Sequence, residues 1–253
     1  MMQIESNKII LKEEGWNNIP SEKILYVLTS VVFFFEHHIK QENFNQKLVL
    51  VQNNTDESDP YIHSKMFKAT PENWIYIKVK GENWIEYLHQ FSHEYCHHLI
   101  ESSFENTNDK FGWIEEVFCE LARLHVIQNI SENWSKSFPF NNKNKHIQSL
   151  NTYLEKSLNA SSFKIISPLN EWITKNIDSL ISERYHREKN KLIAVNLFRL
   201  FLEHPSLWNT IPFIKHIEIS EEMDLKGFFY AWDKLLSEKD RPAFILLKNK
   251  MVK

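Results

Sequence analysis

Two different periods of apolar and polar residues run along this chain, and the change from one to the other divides it. Pro20 and Ser21 make a helix start, and apolar positions then run from Ile24 to Phe35 before the polar stretch Glu36 to Gln46. This predicts a helix over residues 21–40. Lys47 to Val51 is short and rich in β-branched residues, and Trp74 to Lys80 alternates up to Gly81, so both read as strands. Weaker strands are expected at Lys8–Lys12 and Tyr61–Met66, with a turn at 53–60 (NNTDESDP).

From Trp84 onward helical spacing dominates, at 84–101, 112–128, 146–158, 168–181, 184–203 and 221–237. The expected fold class is α+β, with a small N-terminal mixed sheet, then a site-bearing helix and a mostly helical C-terminal half. The Asn/Lys/Ser-rich stretch Asn129 to His146 reads equally as a surface loop and as a boundary between a core at 1–128 and a helical subdomain at 129–253.

Composition narrows the function classes. With 30 basic and 33 acidic residues the formal net charge is −3, so the chain lacks the positive field that a phosphate backbone requires, and nucleic acid is not expected as a partner. The apolar run Ile24 to Phe35 contains Thr29 and Ser30 and is shorter than the roughly 20 residues of a membrane span. A membrane partner is not expected either. Cys96 and Cys119 cannot make a disulfide framework, and the N-terminus lacks the basic-then-apolar order of a secretory signal. The setting expected from this is reducing and cytoplasmic.

The candidate chemistry lies in Phe91-Ser92-His93-Glu94-Tyr95-Cys96-His97-His98. On a helix the side chains of His93 and His97, four residues apart, share a face and can reach one ion, with Glu94 beside them. Ile85, Leu88, Phe91, Tyr95 and Leu99 fall on one side of this helix, and His89, His93 and His97 fall roughly opposite. Solvated helix faces are covered by Lys, Glu and Arg, and a row of histidines is a poor choice for that purpose. Residues 98–115 separate His97 from Glu116, which sits in Trp113-Ile114-Glu115-Glu116. Two histidines and a glutamate form a ligand set of catalytic zinc, leaving a position for water. Ile114, Val117, Phe118, Leu121 and Leu124 give the second helix an apolar side, with Glu116 and Glu120 away from it.

The combination of His93-Glu94-x-x-His97, an 18-residue gap and Trp113-x-x-Glu116 resembles the gluzincin metallopeptidases, with the spacing of their aminopeptidase branch. The resemblance covers residues 74–125. It implies Zn²⁺ as cofactor, His93, His97 and Glu116 as ligands, Glu94 as general base, and Glu120 as the acidic residue that orients a ligand histidine. The fold it implies is a zincin-like core with a small sheet whose last strand borders the cleft. The aminopeptidases also carry a Gly-x-Met-Glu-Asn motif that grips the substrate's amine. Here the nearest string, Gly81-Glu82-Asn83, lies too close to the active-site helix to be equated with it, and exopeptidase specificity has no support.

The expected activity is zinc-dependent hydrolysis, foremost of peptide bonds in a peptide or protein substrate. A catalytically inactive relative that binds or regulates, and a hydrolase of a non-peptide amide or ester, are the alternatives. Tyr185-His186-Arg187 offers an oxyanion donor, with Tyr185 chosen, against the reading that all three are exposed at a polar helix start. Cys96 and Cys119 are expected as small buried hydrophobes, with thiolate ligation as the alternative. Trp113, Trp134, Trp208 and Trp232 are expected to pack the core or the cleft, and the strip Phe228 to Trp232 reads as core, with a binding platform as the alternative.

Overall fold

A computed structural model describes residues 8–12, 15–16, 18–40, 42, 49–53, 65–68, 73–100, 110–137, 143–160 and 168–253. The fold is α+β. The sheet is mixed and four-stranded: β1 (Ile9–Leu11), β2 (Val49–Asn53), β3 (Lys65–Lys68) and β4 (Asn73–Ile77), in the order β1-β2-β4-β3. β1, β2 and β4 run parallel, with Ile9 opposite Val49 and Val51 opposite Ile75, and β3 is antiparallel to β4. Parallel neighbours need a long crossover, and helix α1 (Ser21–His38) lies in the connection from β1 to β2. The expected turn from residue 54 on lies outside the described residues, as does the start of the expected strand at 61–66, whose last two positions fall in β3.

By its contacts the chain divides into two compact units, neither of them continuous in sequence. The first holds residues 1–37, 45–98 and 122–154. It contains the sheet, nearly all of α1, most of α2 (Trp84–Ile100), the later turns of α3 (Gly112–Ser137) and most of α4 (Lys143–Asn159). Its core is built from alternation and periodicity together. Ile75 and Ile77 of β4 are buried while Trp74 and Tyr76 between them are half-exposed and stack on each other, with the Lys12 ammonium over Trp74. α1 buries Ile24, Leu25, Val27, Leu28, Val31, Val32, Phe34 and Phe35, and Phe35 packs against Tyr95 of α2.

Two side-chain amides fix where α2 starts relative to the sheet. Gln90 accepts from the Lys78 N–H at 2.7 Å and donates to the Lys78 carbonyl at 2.8 Å, continuing the β4 ladder with a side chain. Asn53 does the same for Val79 and also donates to the Gly15 carbonyl. Gly15 has φ +92° and lies so close to the Asn53 carbonyl that a side chain there has no room.

The second unit holds residues 38–44, 99–121 and 155–253. Besides the first turns of α3 it contains α5 (Leu169–Ser182), α6 (Arg187–Glu203), a 3₁₀ segment at Pro205–His216, α7 (Leu225–Leu235) and α8 (Arg241–Met251). Its core is aromatic. Trp232 meets Phe118, Phe228, Phe229 and Phe244 edge-on or tilted, and its indole N–H donates to the Thr210 carbonyl. Phe201 packs on both Phe118 and Trp208. Trp113, Trp208, Phe228 and Trp232 are buried as expected of packing residues, whereas Tyr230 of the same strip faces out.

Three differences from the sequence reading have physical causes. α3 continues to Ser137 because no proline or glycine interrupts residues 129–137, so the polar stretch from Asn129 is helix at first and not loop. The 3₁₀ segment at Pro205–His216 and α8 were not expected, since Pro205 and Pro212 break the α-helical pattern and α8 is 11 residues long. α6 starts at Arg187 and not at residue 184, because residues 183–186 form the turn between α5 and α6.

Candidate metal centre

From Phe91 to Ile100 every residue of α2 is buried. The His93–His97 pair is therefore interior, and the solvated-face reading of it does not hold: His93 is 8 %, Glu94 5 % and His97 4 % exposed. The Nε2 atoms of His93 and His97 are 3.2 Å apart, the rings inclined at 74°. Two nitrogens held 2.0–2.1 Å from a tetrahedral zinc are about 3.3–3.4 Å from each other, so this pair stands at the edge length of such a site. In the absence of an ion the same spacing lets one neutral imidazole donate to the other.

The histidines on either side are directed elsewhere. His98 is fully buried and its Nδ1 lies 2.7 Å from the Asn73 amide of β4, tying α2 to the sheet. The Nε2 atom of His89 meets the Arg123 guanidinium at 3.3 Å, and its ring meets Tyr153 edge-on. Because guanidinium only donates, this Nε2 is the acceptor and the imidazole is held in one tautomer. Tyr95, against His98 and Phe91, is deeply buried, which pushes its phenol well above the usual range.

The beginning of α3 is buried on every side from Phe111 to Val126, although helices buried all round are normally apolar. Glu115, Glu116 and Glu120 are among the buried residues, with Arg123 and His125 farther along. Glu115 and Glu116 stand in the first two turns, where the helix dipole favours a carboxylate. Both are engaged by Arg184: Nη2 donates to Glu115 Oε2 at 3.2 Å and Nε to Glu116 Oε1 at 3.4 Å. Burial lowers the arginine's pKa, with Tyr185 opposing, yet a guanidinium remains charged.

The sequence reading missed Arg184 by one residue. It chose Tyr185 from the following triplet, whereas in the turn between α5 and α6 the Arg184 side chain is 13 % exposed and Tyr185 is 64 % exposed, its ring 5.3 Å from the guanidinium. A charged side chain among polar neighbours carries no sign of which way a turn will aim it. The demand for a cation becomes visible only with the burial of the consecutive glutamates, which the structure supplies.

Among the described residues, the group whose ligand atoms all lie within 4.8 Å of one another is His93, His97 and Cys119, all buried, without Glu116. Imidazole and thiolate are both zinc donors, so the chemistry of this set fits the metal that the motif implies. Comparison of the chain with known protein families, with characterised proteins and with solved structures finds no match in any of the three.

Proposed function

We propose that the chain is a zinc-dependent hydrolase, foremost a peptidase, with the metal on His93 and His97 and Glu116 as the expected third ligand. The observation that carries this reading is the His93–His97 pair, buried and spaced at the edge of a zinc tetrahedron, with Glu94 buried next to it on the same helix. A bound zinc would supply Lewis acidity and acidify a water at its open position. Glu94, buried beside the pair, would serve as the general base toward such a water and pass the proton on to the leaving amine. A purely structural site has no use for that carboxylate, which argues against an inactive relative. Tyr185 is left out of the mechanism, because an oxyanion donor acts from a water-excluded position.

Glu94→Gln keeps the ligands and removes the base, so it should retain zinc and lose about 10²–10⁴-fold in turnover of a peptide substrate. Turnover near the wild-type rate in that variant refutes hydrolysis by this site.

A second reading has its own observation. The proximity of the Cys119 sulfur to the two imidazoles supports a His₂Cys site. Cobalt substitution separates the two, because a thiolate ligand adds sulfur-to-metal charge-transfer absorption that a carboxylate does not give. That band, abolished in Cys119→Ser, would replace Glu116 by Cys119 as the third ligand.

A further inference from the structure

We propose that the guanidinium of Arg123, held by His89 at the open end of the histidine row on α2, anchors a carboxylate of the substrate; this rests on the His93–His97 pair being the reacting centre. The row is not equally buried along its length. His97 and His93 are buried, whereas His89, one turn earlier, is half-exposed, as are Ile85 and Glu86 before it. By this gradient the pair meets solvent from the His89 end, and a substrate enters past it.

That end carries a fixed positive charge. Arg123 is only 8 % exposed, and its Nη1 donates to His89 Nε2 at 3.3 Å. The accepting ring stands edge-on to the half-exposed Tyr153, so the contact is held from two sides. Because His89 accepts, its imidazole is neutral and the charge of the contact is the arginine's. The carboxylate of Glu86, one turn of α2 away, is engaged by the Gln90 amide at 3.3 Å. All of these residues belong to the first compact unit.

Spacing sets which group of a substrate meets the anchor. His89 and His93 are four residues apart on one helix face, so the contact at His89 lies about one turn, roughly 5–6 Å, from the imidazole pair. An extended peptide covers about 3.3–3.6 Å per residue. With its carbonyl at the pair, a substrate brings to Arg123 a group one to two residues from the bond cleaved. A guanidinium presents five donors in one plane, which suits it to His89 and a carboxylate together. That carboxylate has two sources, the chain terminus and an aspartate or glutamate side chain. An arginine buried only to balance Glu120, three residues earlier on α3, would make substrate charge irrelevant.

The test uses zinc-loaded protein and three hydroxamates that each carry one residue beyond the metal-binding group. They are alanine with a free carboxylate, alanine carboxamide, and aspartate carboxamide, whose carboxylate is on the side chain. Calorimetry gives the affinity of each for wild type, Arg123→Gln and Arg123→Lys. Hydrogen bonds to a charged group are worth about 10–100-fold in affinity. The wild type should therefore prefer one or both carboxylate probes to alanine carboxamide by about that factor, and the probe preferred names the source. The preference should vanish in Arg123→Gln and shrink in Arg123→Lys, whose ammonium keeps the charge and loses the fork. Equal affinities in the wild type, or a preference that survives in Arg123→Gln, overturns the anchor and leaves the metal reading standing. No binding of any hydroxamate overturns both. Should Arg123→Gln not fold, an undiminished preference in Arg123→Lys overturns the anchor instead.

Discussion

Replacing His97 by alanine removes one nitrogen of the buried pair and leaves His93 alone on its face of α2. Sharing the roughly 10–16 kcal/mol of a four-ligand zinc site equally assigns a single ligand about 3 kcal/mol, or about 150-fold in affinity. At free zinc about 100 times the wild-type Kd, the wild-type protein gains about 2.7 kcal/mol from binding, while the variant gains about 0.3 kcal/mol. For a chain of this size those gains correspond to zinc-induced rises in melting temperature of about 5–11 °C and about 1 °C. Each protein is compared with its own chelator-treated form, so that the packing lost with the imidazole cancels. His98→Ala is the control. It removes an equally buried histidine that bonds Asn73, so it should lower the apo melting temperature and keep the full zinc-induced rise. A wild-type protein that zinc does not stabilise, or a His97→Ala protein that it stabilises fully, refutes the site.

The remaining predictions concern the scaffold around the centre. Burial, and the Glu82 charge, push Tyr87 up to about 12, and burial pushes Tyr95 up further. Both phenols keep their protons in the fold at a pH where the unfolded chain releases them. Their contribution to stability is therefore complete below about pH 10 and is lost as pH rises through the folded value. Urea midpoints measured from about pH 9 to about pH 12 should fall, and fall less steeply in Tyr87→Phe; an unchanged slope refutes the assignment. In the second unit, Asp240 Oδ2 accepts from Lys40 Nζ (3.1 Å), Asn209 Nδ2 (3.0 Å) and Ser237 Oγ (2.6 Å). Asp240→Ala leaves the buried Asn209 amide and the part-exposed Lys40 ammonium without their acceptor and should cost about 1–3 kcal/mol in urea unfolding, and no measurable loss would show that water replaces the carboxylate.

The sequence by itself determined the elements whose signal is local. The 3.6-residue period placed α2, the two-residue alternation placed β4, and a four-residue spacing on a helix put His93 and His97 on one face. The α+β class followed from strand-type segments giving way to helical ones, and among the described residues no helix is long and apolar enough to cross a membrane. The tertiary structure alone decided what the polar positions do. Nothing in the pattern of α3 showed that Glu115 and Glu116 would be buried, because burial of a charge depends on what the rest of the chain brings to it. Arg184 turns inward and Tyr185 outward for the same reason: the direction of a side chain in a turn is set by the fold's need for a cation beside two carboxylates, a long-range demand that no local period records. His89 belongs to the same row as the pair by sequence, and its partner Arg123 separates it from them, while His98, one position around the helix, turns to Asn73.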